Sequence, residues 1–522
     1  MFARLTVLLF CVFLLLGGRE PPWADANVAY QTTQAIVDRG ELSIQLSAPA
    51  YFFVERAGKK YGFASLGTAI AQIPSYLAFR ALRKLPGLAP GPWYAMASHL
   101  SSALWMSLAI ALFARRAQRI GATATQAVAL AFVLQLGTLC LVYGRSSYGE
   151  ALQAFLLTWF VDLTLLASEQ KRKKTLLLCG LCAGMLLHAK LVYGAVLPVG
   201  LGVFLWAHRR DGLWANLRAL GLPLCGALPG IALLLVHNWV KTGHPLRTGY
   251  QSGQLGLFDG DLLSGLFGLL LSPGRGLVFY APPLLLGVLG IHRAWQTERR
   301  LTVLVGLTAA VVTLISAKYP VWHGGYCYGP RYLVPLIPML LWLSVPWLSS
   351  LGQHQARRAG WIVALVGALG LWVNGLGSAL YWDHYCRVLA SVQRQALVPG
   401  WSEDHHAFGY FVPQFSPIRG HFWLLRHTLR GDLDLPRDAP WLSVLGRPVD
   451  LREEAARLRV DFWALDWLTG APWTHKRYGF GLLGMLLAGM FWSARGLGAR
   501  LRWDDRQTAA ARYGERAGGD QP

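Results

Sequence analysis

Charge is scarce in this chain, and acid scarcest of all. Of 522 residues only 15% are charged, with 27 Asp or Glu against 49 Lys or Arg. Soluble domains carry nearer a quarter charged residues, so the soluble globular class is excluded. A phosphate-cradling Walker sequence is lacking, which argues against ATP-driven transport. There is no GxSxG and no Cys set beside a base, so a nucleophilic triad has no support. A long basic tail is also missing. The formal charge of +22 is divided among short clusters between apolar blocks, the distribution of the positive-inside rule rather than of nucleic-acid binding. The seven cysteines fall mostly within apolar segments, where Cys behaves as a small hydrophobe. Cys179 and Cys182 form a CxxC inside LLLCGLCAG, which reads as small-residue helix packing rather than redox or metal chemistry. Cys327 and Cys386 lie in outer loops and are free to pair if that compartment is oxidising.

Hydrophobic residues are abundant, at 54%. They come in blocks of roughly 17–22, the length that crosses a bilayer as helix. The fold class is an all-α polytopic membrane protein with about twelve spans. These are placed at 4–18, 93–114, 122–143, 149–168, 174–187, 191–208, 217–237, 277–292, 301–317, 332–349, 359–382 and 478–494. The first is read as an uncleaved helix, because the small-x-small site at Ala24–Ala26 sits well past its apolar core. ARRAQR, EQKRKK, HRRDG, HRAWQTERR and QHQARR all fall on one side when the spans alternate. That side, with both termini, is cytoplasmic. Residues 1–382 form a bundle with a first outer loop at 19–92. Residues 383–477 form an outer loop or small appended domain, and 478–522 the last span and a cytoplasmic tail.

The uncommon residues collect in the outer loops. Asp25 follows the first span by a few residues, in WADANVAYQTTQAIV. It suits a general base at the membrane surface, and equally an N-cap for the helix that follows. Arg331 starts the span after HGGYCYGPR. A cation at a helix N-terminus opposes the macrodipole unless an anion lies between. A phosphate there would meet both free N–H groups and the guanidinium; reaching up to lipid headgroups is the plainer account. Arg275 in SPGRG and Lys60 in KKYG share this ambiguity. Glu150 is either a second acid or the end of a capping box with Ser147. His323, beside Gly324 and Gly325, is a candidate for lining a site. Asp162 sits within a span, where pairing is expected. Glu403, Asp404, His405 and His406 have metal-ligand character but lack a second cluster with matching spacing, so no metal is assigned.

With Asp25, Tyr30 and Gly40 arranged after one apolar helix, and KKYG and YGPRYLVPLIP further on, the chain resembles the GT-C-fold glycosyltransferases. These include protein O-mannosyltransferases and the lipid A aminoarabinose transferase. Many relatives have two adjacent acids; Ala26 stands at the second place here. The resemblance implies a bundle with large outer loops and transfer of a sugar from a polyprenyl-phosphate donor to a lipid, glycan or protein acceptor. It places the site on the periplasmic face of a bacterial inner membrane. Asp25 would be the base of an inverting reaction. Arg331, Arg275 and Lys60 would hold the donor phosphate, with Tyr30, Tyr61, Glu150, His323 and Tyr328 as possible lining. No cofactor is implied beyond the lipid-linked donor, and a divalent cation has no support. The rival is a flippase, transporter or polymerase of lipid-linked glycans. It would need charges deep in several spans, lining a path.

Overall fold

Apolar length and burial together sort the helices. The structure, a computed structural model, describes residues 1–19, 24–45, 52–82, 84, 93–249, 258–396, 408–432, 434–465 and 473–517. Among them seven helices are long and apolar enough to cross a membrane: Met96–Arg119, Glu150–Glu169, Trp214–Thr242, Arg299–Lys318, Arg331–Ser349, Gln353–Ala379 and Lys476–Leu501. Glu150–Glu169 is 83% buried and forms the centre of the bundle, whereas Trp214–Thr242 is 6% buried. The latter leaves Leu224, Leu228, Val236 and Trp239 on its outside. One face of this helix packs through Gly226 and Gly230 on helix Lys173–Ala189, and the exposed apolar remainder is placed for lipid.

Twelve continuous spans are not what the chain forms. Four further apolar helices, Phe2–Leu15, Ala124–Gly137, Leu191–Ala207 and Leu262–Leu271, are shorter. The expected span at 277–292 is interrupted at Pro282–Pro283 and resumes as a helix at Leu285–Thr297, since proline removes a backbone donor and clashes with the preceding turn. The span at 122–143 breaks at Thr138, whose backbone is extended. Leu262–Leu271 is an apolar helix inside what reads as an outer loop. The all-α expectation also needs correcting. The first outer loop carries a small antiparallel sheet of β1 (Ser43–Ile44), β2 (Phe53–Arg56) and β3 (Lys59–Gly62), in the order β1-β3-β2.

The CxxC segment packs as its small residues predict. A Cβ on Gly180 would lie 1.8 Å from Pro223 O, and one on Gly230 would lie 2.7 Å from Gly184 Cα. Cys179 and Cys182 are free thiols, and Cys182 donates to Leu156 O at 3.3 Å. The small side chains let the two backbones touch. Asp162 is paired as expected: Arg116 Nε lies 2.5 Å from its Oδ1, with both side chains about 5% exposed. Beyond the bundle, Tyr385, Val388, Leu389, Val392, Phe415, Trp423 and Trp441 form a separate apolar core. It is tied to the bundle by Arg145, which donates to Leu16 O, Ser378 O and Asp461 O.

Candidate functional site

Four separate segments bring charged and aromatic side chains to one cavity of about 1590 Å³. Asp25 comes from the first turn of helix Ala24–Arg39, where a carboxylate favours the free N–H groups. Tyr148 and Glu150 come from the start of helix Glu150–Glu169. Lys190 follows the end of helix Lys173–Ala189. Arg331 and Tyr332 open the segment after the glycine loop. All six side chains line the same space.

Arg331 is the hub. Its guanidinium donates through Nη2 to Asp25 Oδ2, and its Nε lies 3.0 Å from Glu150 Oε1. Nη1 donates to Gly324 O at 3.2 Å. The guanidinium carbon sits 4.7 Å above the Tyr148 ring and 5.3 Å from that of Tyr332. Lys190 Nζ lies 3.8 Å from the centroid of the same Tyr332 ring. The anion that an arginine at this helix start calls for is therefore supplied by the chain itself, as two carboxylates. Glu150 forms no cap: the helix begins after Gly149 with no side-chain cap bond. Its Oε2 is buried without a hydrogen-bond partner among the described residues.

Burial opposes the charge of Asp25, but the Arg331 charge and hydrogen bond, with Lys190, outweigh it and hold the carboxyl below its usual range. The carboxylate is thus ionised, with 34% of its side chain still open toward the cavity. Lys190 is pushed down to about 8, first by burial and then by the Arg331 charge. Asp25 is therefore ionised near neutral pH, beside the Arg331 and Lys190 cations.

The loop that delivers Arg331 depends on left-handed glycines. Gly324, Gly325 and Gly329 have φ of +77°, +70° and +66°, conformations that side chains resist. Arg275 clamps this loop from behind. It is 2% exposed, donates to Cys327 O and to Gly325 O at 3.0 Å, and lies over the Tyr410 ring at 5.1 Å. It does not line the main cavity. His323 is bound to the Tyr410 hydroxyl at 2.8 Å and accepts the Gly325 N–H. Tyr328 donates to Val373 O. Tyr30 packs edge-on against Tyr76 at 5.8 Å. Lys60 lies over the Phe53 ring at 4.5 Å, and Tyr61 pairs within the sheet with Ser43 and Val54. None of these five side chains lines the cavity.

Of the residues singled out from sequence, Asp25, Glu150 and Arg331 come together; Arg275, Lys60, Tyr30, Tyr61, His323 and Tyr328 stand outside. Lys190 is the missed member. It is a lone cation in a short outer connection, against the positive-inside bias, and that exception is the signal that marks it. Cys327 and Cys386 are free thiols rather than a disulfide; the Cys327 thiol donates to His323 O at 3.4 Å. Glu403 to His406 lie outside the described residues. Among those described, no group of three His, Cys, Asp or Glu is placed to hold a metal ion.

No family model matches the chain, and no curated protein matches it. Solved structures do. The crystal structure of ArnT from Cupriavidus metallidurans in the apo state is 15% identical, with a TM-score of 0.45 over 95% of this chain and 77% of that one. ArnT bound to undecaprenyl phosphate is 14% identical, at the same TM-score over 94% of this chain and 77% of that one. The similarity is one of layout.

Proposed function

We propose that the protein is a membrane glycosyltransferase that takes a sugar from a polyprenyl-phosphate donor at the outer membrane face, with Asp25 as the base. The observation that carries this reading is the Asp25–Arg331–Lys190 cluster in a cavity whose lining is of two kinds. One part of the lining is apolar, with Phe258, Leu262, Leu314 and Ile315, and Phe258 and Leu314 are 47% and 46% exposed. A prenyl chain would lie along that part. The other part is charged, with Asp383, Arg387, Arg394, Glu453, Glu454 and Arg457.

In this reading the donor phosphate takes Arg331 and Lys190 as its partners. Asp25 then loses the cations that hold its pKa down and becomes a stronger base at the moment an acceptor hydroxyl is in place. The acceptor oxygen forms its bond to the anomeric carbon, the carbon–phosphate-oxygen bond breaks, the electron pair leaves with the phosphate, and the proton goes to Asp25. One displacement of this kind inverts the anomeric centre. Glu150, 3.0 Å from Arg331 Nε, would keep the guanidinium aimed while Asp25 is released. A translocation path is disfavoured because Asp162, the acid within a span, is paired with Arg116 and does not line this cavity.

The test is release of polyprenyl phosphate from a polyprenyl-phosphate sugar by purified protein in lipid nanodiscs. Wild type should release it in the presence of a crude envelope extract, with the product sugar inverted, and Asp25→Asn should not. Equal release by both proteins rejects the reading.

A further inference from the structure

The charged arm of the cavity has a construction of its own. Helix Trp382–Ala396 places Asp383, Arg387, Ala390 and Arg394 along the cavity wall, a spacing of four, three and four that keeps them on one helical face. The opposite face, with Tyr385, Val388, Leu389 and Val392, is buried in the outer core. Glu453, Glu454 and Arg457, from helix Arg452–Arg457, complete the wall. The two helices are joined by a bond from Ser391 Oγ to Glu454 Oε1 at 2.6 Å. Arg387 pairs with Asp383 at 2.6 Å and Arg457 with Glu453 at 2.5 Å, while Arg394 donates to Ser391.

Three guanidinium groups and three carboxylates therefore share the wall and balance in formal charge. The mouth is open to water: Arg387 and Arg457 are 42% and 48% exposed, and Glu453 75%. This wall is wrong for a phosphorylated lipid, which needs surplus positive charge and an apolar bed. It also lacks the strand edge or apolar groove that peptides use; the sheet of the first loop contributes none of these residues. It suits vicinal hydroxyls, each of which both donates and accepts, against paired forks and carboxylates. The Tyr326 ring on the same wall adds a flat apolar face.

We infer that this arm is the acceptor subsite and that the acceptor is a glycan, entering from the aqueous side and reaching Asp25 along the Arg387–Arg394–Arg457 wall. The inference rests on the transferase reading for its connection to Asp25, but its binding test does not. Full-length protein in detergent would be applied to an array of bacterial surface oligosaccharides, and binding of undecaprenyl phosphate would be measured on the same samples. Wild type should retain a defined set of glycans. The Arg394→Ala/Arg457→Ala variant should lose about tenfold or more in glycan affinity, as expected for charge-assisted hydrogen bonds, while binding undecaprenyl phosphate as before. Unfolding temperature checks that the variant is folded, and Arg394→Lys/Arg457→Lys should recover part of the glycan binding. No glycan bound by wild type, binding of peptides instead, or glycan affinity unchanged in the alanine variant overturns the inference. So does loss of undecaprenyl-phosphate binding in that variant, which would assign the arm to the donor. If wild type binds glycans but never undecaprenyl phosphate, the donor reading fails and the glycan subsite stands.

Discussion

Replacing Arg331 with Gln removes the one group that both carboxylates share. Arg331 is 8% exposed, and its two partners are Asp25 and the fully enclosed Glu150. Taking one member from a buried ion pair costs about 3–5 kcal/mol because the remaining charge is left without compensation. Asp25 keeps 34% of its side chain open to the cavity, so screening places the loss near the lower end, about 3 kcal/mol. Its pH dependence follows from the direction of the Asp25 shift. In the wild type the folded carboxyl titrates below its unfolded value. Its contribution is present above about pH 4 and is lost as pH falls through the folded value. In Arg331→Gln the main depressing cause is gone and burial, which raises the pKa, prevails. The carboxyl then titrates above the unfolded value, and stability is lost as pH rises. The gap between the two proteins should therefore widen from about pH 4 to pH 7. The assay is thermal unfolding of detergent-solubilised protein followed by tryptophan fluorescence across that range. Undecaprenyl phosphate at about 100 times its dissociation constant should stabilise the wild type by about 2.7 kcal/mol and the variant by far less. A deficit that is flat across pH, or equal stabilisation of both proteins by the lipid, refutes the reasoning.

Three further outcomes follow from the same geometry. Asp25→Asn should lower transfer by about two to four orders of magnitude yet bind undecaprenyl phosphate at least as tightly as wild type, since Arg331 no longer has that carboxylate as a competitor; calorimetry and product release separate the two effects. Because Lys190 titrates at about 8, wild-type affinity for undecaprenyl phosphate should fall between pH 7 and 9 as the ammonium loses its proton, whereas Lys190→Met should bind about tenfold more weakly at pH 7 and show no such fall. Arg116→Met should destabilise the bundle by about 3 kcal/mol, the lower end for a broken buried pair because Arg119, 3.8 Å away, still faces Asp162, and Arg116→Met/Asp162→Leu should recover most of that, with transfer restored in parallel; a translocation pathway through these charges predicts that the double variant stays inactive.

Much of the bundle is legible in the sequence because its signals are local: apolar length and flanking charge. The failures occur where a local signal is overridden by a break or by a partner remote in sequence. Pro282–Pro283 ends a run that hydropathy alone reads as one span. The short helix Leu262–Leu271 is greasy but too short to register as a crossing. Asp25 and Arg331 can be singled out because each breaks a rule about where charge belongs, one just outside an apolar helix and one at a helix start that disfavours it. Lys190 breaks a rule too, as a cation on the outer side, but it sits in the least certain part of the span map.

Arg275 shows why the rest of the site stays hidden. It shares with Arg331 a glycine- and proline-rich turn, an outer position and an isolated charge, so sequence gives the two the same reading. They lie on opposite sides of one loop: Arg275 grips the carbonyls of Gly325 and Cys327 from behind, and Arg331 holds Gly324 O from the cavity side. Direction is decided by tertiary packing, which no window of sequence contains. In the proposed reaction this arrangement has a physical consequence. With its back held by Arg275, the loop would keep Arg331 in place even when a ligand phosphate displaces Asp25. The exchange of one anion for another would then require little backbone reorganisation, and the charge that Arg331 gives up at Asp25 would become basicity available to the acceptor.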